Sequence, residues 1–122
     1  MISKKQELDK IKSELEKIKF FSGKTVIGDG DLDARIMLIG EAPGEQEDKQ
    51  GKPFVGRAGK FLNKILHEIG IKREDVFITN IVFWRPPNNR KPTPEEREKC
   101  LPYLHKIIKI IKPDVIVTLG AT

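Results

Sequence analysis

Three short apolar runs, separated by helical segments, constrain this chain more than any other feature. They are RIMLI at 35–39, VFITNIVF at 76–83 and VIVTL at 115–119. Each is too short for a helix of ordinary length, and the last two are rich in β-branched or aromatic residues, so each reads as a strand. Their near-continuous apolarity suits parallel strands covered on both faces. The segments between them carry a helical period instead. Leu8, Ile11, Leu15 and Ile18 recur at three- and four-residue spacing over 3–19, with Ser3 as the cap. Ala58, Phe61, Leu62, Ile65, Leu66 and Ile69 share one face over 58–69, and Gly70 ends that helix. Thr93-Pro94-Glu95-Glu96 is a capping box with proline at the first helical position. The helix it opens runs through Leu101, Leu104, Ile107, Ile108 and Ile111 to about Lys112, with Pro102 expected to kink or split it.

The order is therefore α-β-α-β-α-β. Strands joined by helices lie parallel, with right-handed crossovers. The expected fold is a three-layer α-β-α sandwich around a parallel sheet. It forms one α/β domain over 1–122, with a βαβαβ core at 35–119. In such folds ligands bind at the edge shared by the C-terminal ends of the strands. Three loops meet there: 40–57, 80–92 and whatever follows Gly120.

Composition narrows the setting. A chain of 122 residues is one domain at most, and no apolar run approaches a membrane span. The first twenty residues are charged throughout and lack the apolar core of a signal peptide. Cys100 is the only cysteine, which excludes an internal disulfide framework and any Cys-only metal site. A reducing, cytoplasmic setting is expected. The ending VIVTLGAT does not read like the end of a domain, so a C-terminal truncation is expected, with a separate C-terminal fragment as one partner. The net charge of +5 divides into +3 over 1–25, −4 over 26–56 and +6 over 57–122. An acidic centre between basic flanks fits an anionic partner, and it equally fits ordinary surface solubility.

The first loop, GEAPGEQEDKQGKPFVGRAG, crowds Glu41, Glu45, Glu47 and Asp48 near a strand end. Such carboxylates can orient or activate water, or simply face solvent. Phe54, between Pro53 and Val55, suits a stacking platform for a base or an anchor for its loop. The loop is neither a Walker loop nor a GxGxxG fingerprint. Asn80, at the end of the second strand, carries a donor and an acceptor. A fixed amide there can read uracil, which shows a carbonyl beside an N–H, against cytosine, which reverses both. Trp84, Arg85, Asn88, Asn89, Arg90 and Lys91 follow among prolines, where the cations suit phosphate contacts or a solvated turn. His67 and His105 lie at helical positions with no ligand-spaced partner, and Cys100 has no paired base. None of the three reads as catalytic.

Together, GEAPGEQEDKQGKPFVGRAGKFL, ITNIVFWRPPNNRKPTPEE and the CLPYL helix resemble the uracil-DNA glycosylase superfamily, and within it the thermophile-type family 4. The resemblance runs from about Ile36 onward, with a weaker match over the first helix. It implies hydrolysis of the N-glycosidic bond of a flipped-out uracil in DNA, a base-excision repair activity. Phe54 would stack on the uracil, Asn80 would read its Watson–Crick edge, and Asn89 would be a secondary pocket residue. Glu41 would line the pocket within a water-activating motif, and Glu47 would position the water or hold the loop. Arg57 and Arg90 are added as DNA-backbone contacts from charge and loop position. Uracil-containing DNA is the implied partner.

Two departures from the family pattern stand out. Family 4 proteins hold a four-cysteine [4Fe–4S] cluster, whose matching positions here are Ser13, Glu16, Trp84 and Cys100. One cysteine cannot hold it, so no cofactor and no metal are expected, with Trp84 filling the vacated space. Relatives also continue to an HP-S/A-type motif bearing a histidine, which this sequence does not reach. The alternative function is a non-catalytic nucleic-acid or base-binding module on the same fold.

Overall fold

The computed structural model describes residues 2–119, and of Asn89 it describes the backbone only. The first helix, α1, spans Lys4–Ile18, and its start is fixed chemically. The Ser3 hydroxyl accepts from the Gln6 N–H, and the Gln6 side chain accepts from the Ser3 N–H, a reciprocal cap. Leu8, Ile11 and Leu15 are buried, while Ile18, expected on the same face, is exposed at the helix end.

A two-residue strand, β1 (Asp29–Gly30), follows in the turn-rich segment. The sheet is completed by β2 (Ile36–Gly40), β3 (Phe77–Asn80) and β4 (Val115–Thr118). Strand order is β1-β3-β2-β4. β2 is parallel to both β3 and β4, and β1 is antiparallel to β3. The expected strand over 76–83 stops at Asn80, because Ile81 and Val82 turn to donate to the Gly40 and Glu41 carbonyls.

Side chains alternate across this sheet, as strand geometry requires. Met37, Ile39 and Phe77 face α1 and the long helix α4 (Pro94–Ile111). Leu38 and Ile78 face α3 (Arg57–Glu68) through Leu62 and Leu66. Three layers result, as the strand–helix order implies. Thr93 and Glu96 cap α4 reciprocally. Pro102 does not split it into two helices: it lies on an exposed face, and buried Cys100, Leu104, Ile107 and Ile111 hold both halves on one core. The glycine-rich loop contains a further short helix, α2 (Glu45–Gln50), which the acidic sequence hides.

Two burial expectations fail. Ala58, Phe61, Ile65 and Ile69 are exposed, because α3 meets the sheet through Leu62 and Leu66, while Gly59 abuts the pocket loop at Phe54. Val115, Ile116 and Val117 are also exposed, since β4 has one neighbour and lies beyond the helices that cover β2 and β3.

One ion pair gives the fold a pH signature. Arg90 grips Glu96 with two bonds of 2.8 Å, and this hydrogen bonding is the main reason the Glu96 pKa falls from 4.5 to about 2. A depressed carboxylate contributes stability above its unfolded pKa and loses it on acidification through the folded one. The contribution is thus full above pH 4.5 and fades toward pH 2. Urea midpoints measured across that window are expected to fall less in Glu96→Gln than in the native chain. High salt should shrink the difference, because the pair is solvent-facing.

A candidate base-binding pocket

The loops leaving β2 and β3 pass to opposite faces of the sheet and open a crevice between the strand ends. Gly40 and Asn80 are register partners at that point. A cavity of about 80 Å³ lies there, lined by Ala42, Glu47, Phe54, Ala58 and Asn80. Larger surface grooves lie elsewhere, lined mostly by polar and charged side chains.

Asn80 is only 2% exposed, and its Oδ1 has no hydrogen-bond partner among the described residues. A buried acceptor left unpaired costs about 1–3 kcal/mol, so such atoms ordinarily find a donor. This one waits in a cavity. Gly40 lets the neighbours close in: a methyl group there would sit 2.5 Å from Asn80 Oδ1 and 2.5 Å from Phe54 Cζ. The ring and the amide therefore meet over one bare α-carbon. Phe54 holds a left-handed backbone, φ 51, rare for an aromatic residue.

Glu47 explains how its loop stays ordered. Its Oε1 accepts from the Gly44 N–H at 2.9 Å, and its Oε2 accepts from Val55 at 2.9 Å and Gly56 at 2.7 Å. Both oxygens are committed to backbone, so of its two expected roles the geometry favours holding the loop. Glu47→Gln discriminates between them. An amide brings one acceptor oxygen and one N–H₂ that meets a backbone donor, so the loop should loosen nearly as much as in Glu47→Ala. Each is expected to lose about 2–3 kcal/mol in chemical denaturation. A water-activating role alone would leave Glu47→Gln at native stability.

The other expected site residues separate. Glu41 is half-buried and does not line the cavity; its carbonyl accepts from the Val82 N–H at 3.0 Å. Arg57 is exposed at the start of α3. Arg90 departs from the expected phosphate role: it is paired with Glu96 and lies 5.4 Å from the Phe21 ring centroid. Asn89 belongs to a one-turn helix over Pro87–Asn89, and its side chain lies outside the described residues, as does the loop beyond Gly120. His67 and His105 are exposed on their helices. Sequence reasoning missed Ala42 and Ala58, whose small size makes the cavity, and nothing in their pattern marks them as site residues.

A family model for the uracil-DNA glycosylase superfamily matches residues 27–122, a span that includes every cavity residue. The chain belongs to that superfamily. It is 62% identical over 97 residues to a type-4 uracil-DNA glycosylase of Thermotoga maritima, covering 80% of this chain and 50% of that one. It is 53% identical over 119 residues to a type-4 uracil-DNA glycosylase of Sulfurisphaera tokodaii, covering 93% and 54%. It is also 39% identical over 109 residues to a DNA polymerase of Bacillus phage SP01, covering 88% of this chain and 12% of the polymerase. The chain thus spans about half the length of the curated glycosylases it matches.

The positions of this uracil-DNA glycosylase family member that match the iron–sulfur ligands do not fit a cluster. Trp84 is fully buried, edge-on to Phe20 with ring centroids 4.8 Å apart. Its indole N–H donates to the Thr25 hydroxyl at 2.8 Å, and that hydroxyl donates to Glu16. Two of the four positions are therefore spent in one hydrogen-bonded strap, and Ser13 is exposed. Cys100 is buried, burial pushes its thiol up to about 11, and one thiol alone cannot hold a cluster.

Proposed function

We propose that this chain carries the uracil-recognising part of a DNA glycosylase that removes uracil in base-excision repair. The observation that carries the reading is the unpartnered, buried Asn80 Oδ1 facing the Phe54 ring across a cavity. A flipped uracil brings what is missing. Its N3–H donates to Asn80 Oδ1, its O4 accepts from the Asn80 amide, and its face lies on Phe54. Cytosine offers an acceptor where uracil offers its N–H, so a fixed amide rejects it.

The chemistry follows from that pose. Extruding the nucleotide costs a few kcal/mol, offset by the pocket. The glycosidic C–N bond breaks, its electron pair leaves with uracil, and water adds to the sugar carbon while its proton passes, directly or through solvent, to the departed uracil anion. The Asn80 N–H strengthens its bond to O4 as the uracil becomes anionic. Glu41, next in sequence to cavity-lining Ala42, is the candidate to hold the water and to place negative charge near the sugar cation, whereas Glu45 pairs with Lys49 and Asp48 accepts from the Lys24 N–H. Glu47 keeps the loop in place, Arg57 meets the DNA backbone, and the family resemblance makes Asn89 a secondary pocket residue. Arg90 meets it only by leaving Glu96. A cytoplasmic site of action completes the reading.

The chain is further proposed to work without an iron–sulfur cluster. The Trp84–Thr25–Glu16 strap supports this, since the ligand positions are filled by side chains with other commitments. Protein purified under anaerobic conditions is expected to be colourless, with iron far below one atom per chain. A brown protein with stoichiometric iron would show the opposite.

A second reading has one observation behind it. A segment similar to this chain forms a small part of a phage protein named DNA polymerase. The unit can then be a base-binding module without cleavage. Incubation with a uracil-containing single-stranded oligonucleotide, followed by alkali, separates the two. Cleavage lost in Asn80→Ala and Phe54→Ala supports the glycosylase. Binding without cleavage supports the module, and no preference for uracil in either readout contradicts both.

A further inference from the structure

We propose that Arg73, outside the pocket, is a positioning residue for the base: it holds the Phe54 ring where a uracil can stack. The inference rests on the reading of Phe54 as the stacking surface.

Arg73 lies in a one-turn helix, Arg73–Asp75, just before β3. Its two terminal nitrogens fork onto successive carbonyls of the pocket loop. Nη1 donates to the Phe54 carbonyl at 3.2 Å and Nη2 to the Pro53 carbonyl at 2.8 Å. Nη1 also donates to Asn63 Oδ1 at 2.8 Å, which ties the fork to α3. Glu47 takes the next two backbone groups, the N–H donors of Val55 and Gly56. The peptide over 53–56 is thus gripped by a cation on its carbonyls and an anion on its amides.

The grip has a purpose at Phe54. With φ at 51, its backbone is one that side-chain-bearing residues rarely adopt unless the surroundings impose it. Released, Phe54 should relax toward negative φ and carry its ring off Gly40 and Asn80. Arg73 is half-buried, and burial lowers its pKa while Asp29 opposes the shift. It stays charged at neutral pH. A lysine offers a point charge and cannot hold two carbonyls in one plane.

The test uses ¹⁵N-labelled native chain, Arg73→Ala and Arg73→Lys, well below their melting temperatures. Two quantities are read: hydrogen exchange at the Val55 and Gly56 amides without ligand, and the dissociation constant for free uracil. Arg73→Ala should raise exchange at those two amides and weaken uracil binding, each by at least about tenfold, while β3 amides stay protected. Arg73→Lys should fall between. If the native chain binds uracil and Arg73→Ala binds it equally well, the proposal is overturned although the pocket stands. A purely structural role is exposed by a lowered melting temperature with unchanged affinity, which also overturns it. If the native chain shows no uracil binding, the stacking reading fails and the proposal with it. The exchange data then still report whether Arg73 holds the loop.

Discussion

Gly59→Ala is expected to be strongly damaging although it adds only one methyl group. The ordinary rule runs the other way. Within a helix, alanine is favoured over glycine by roughly 0.5–1 kcal/mol, because glycine loses more backbone entropy on folding. Gly59 lies in the first turn of α3, where that gain should apply. A methyl group there, however, would sit 1.8 Å from the Phe54 carbonyl oxygen and 2.1 Å from its carbon. Both are backbone atoms, so no side chain can rotate away. The carbonyl is also held by Arg73 from its other side. Either α3 lifts from the sheet or the pocket loop is expelled. The expected loss is about 3 kcal/mol or more in chemical denaturation. Native-like stability in Gly59→Ala would mean that Phe54 does not sit against the helix.

Asn80→Ala should behave in the opposite way, leaving the fold nearly intact while removing recognition. The buried Oδ1 has no partner among the described residues, so deleting it removes an uncompensated polar group. The small void left behind costs something in return, and the two effects oppose each other. The melting temperature should therefore move little. Affinity for a uracil-containing oligonucleotide should drop by about a hundredfold, the worth of two buried hydrogen bonds to a base edge. Fluorescence anisotropy measures this directly. Asn80→Asp is a sharper variant. It keeps an acceptor for the uracil N–H but loses the donor for the carbonyl, and its charge suits the cytosine amino group. It should narrow or reverse the preference of uracil over cytosine. A Gly40→Ala chain would reach the same loss by another route, since its methyl would wedge between Asn80 and Phe54.

These two substitutions show how unevenly the molecule is written into its sequence. Features set by local chemistry were legible. Ser3 with Gln6 and Thr93 with Glu96 mark helix starts because capping needs only neighbours. The β2, β3 and β4 segments stand out because apolar runs closed by glycine or turns have few alternatives. Phe54 and Asn80 stand out as candidates because a lone aromatic in a glycine-rich loop and an amide at a strand end are chemically conspicuous, and both line one cavity. What depended on distant partners was not. The roles of Glu47 and Arg73 come from backbone groups brought to them by the fold, up to 20 residues away. The periodicity of α3 named six core positions, yet Ala58, Phe61, Ile65 and Ile69 face solvent, because periodicity fixes a face and not how much of it the sheet covers. The two-residue β1 has too little sequence to announce itself.

The most direct test of the account follows the Asn80 side-chain amide by ¹⁵N–¹H spectroscopy while uracil, and then cytosine, is added to the chain. If the orphaned amide is the reading group, its two N–H signals shift in a saturable way with uracil. They hardly move with cytosine at the same concentration, and Phe54→Ala abolishes the response. Equal shifts with both bases, or none with uracil while other residues respond, would contradict the assignment of this pocket as a uracil site.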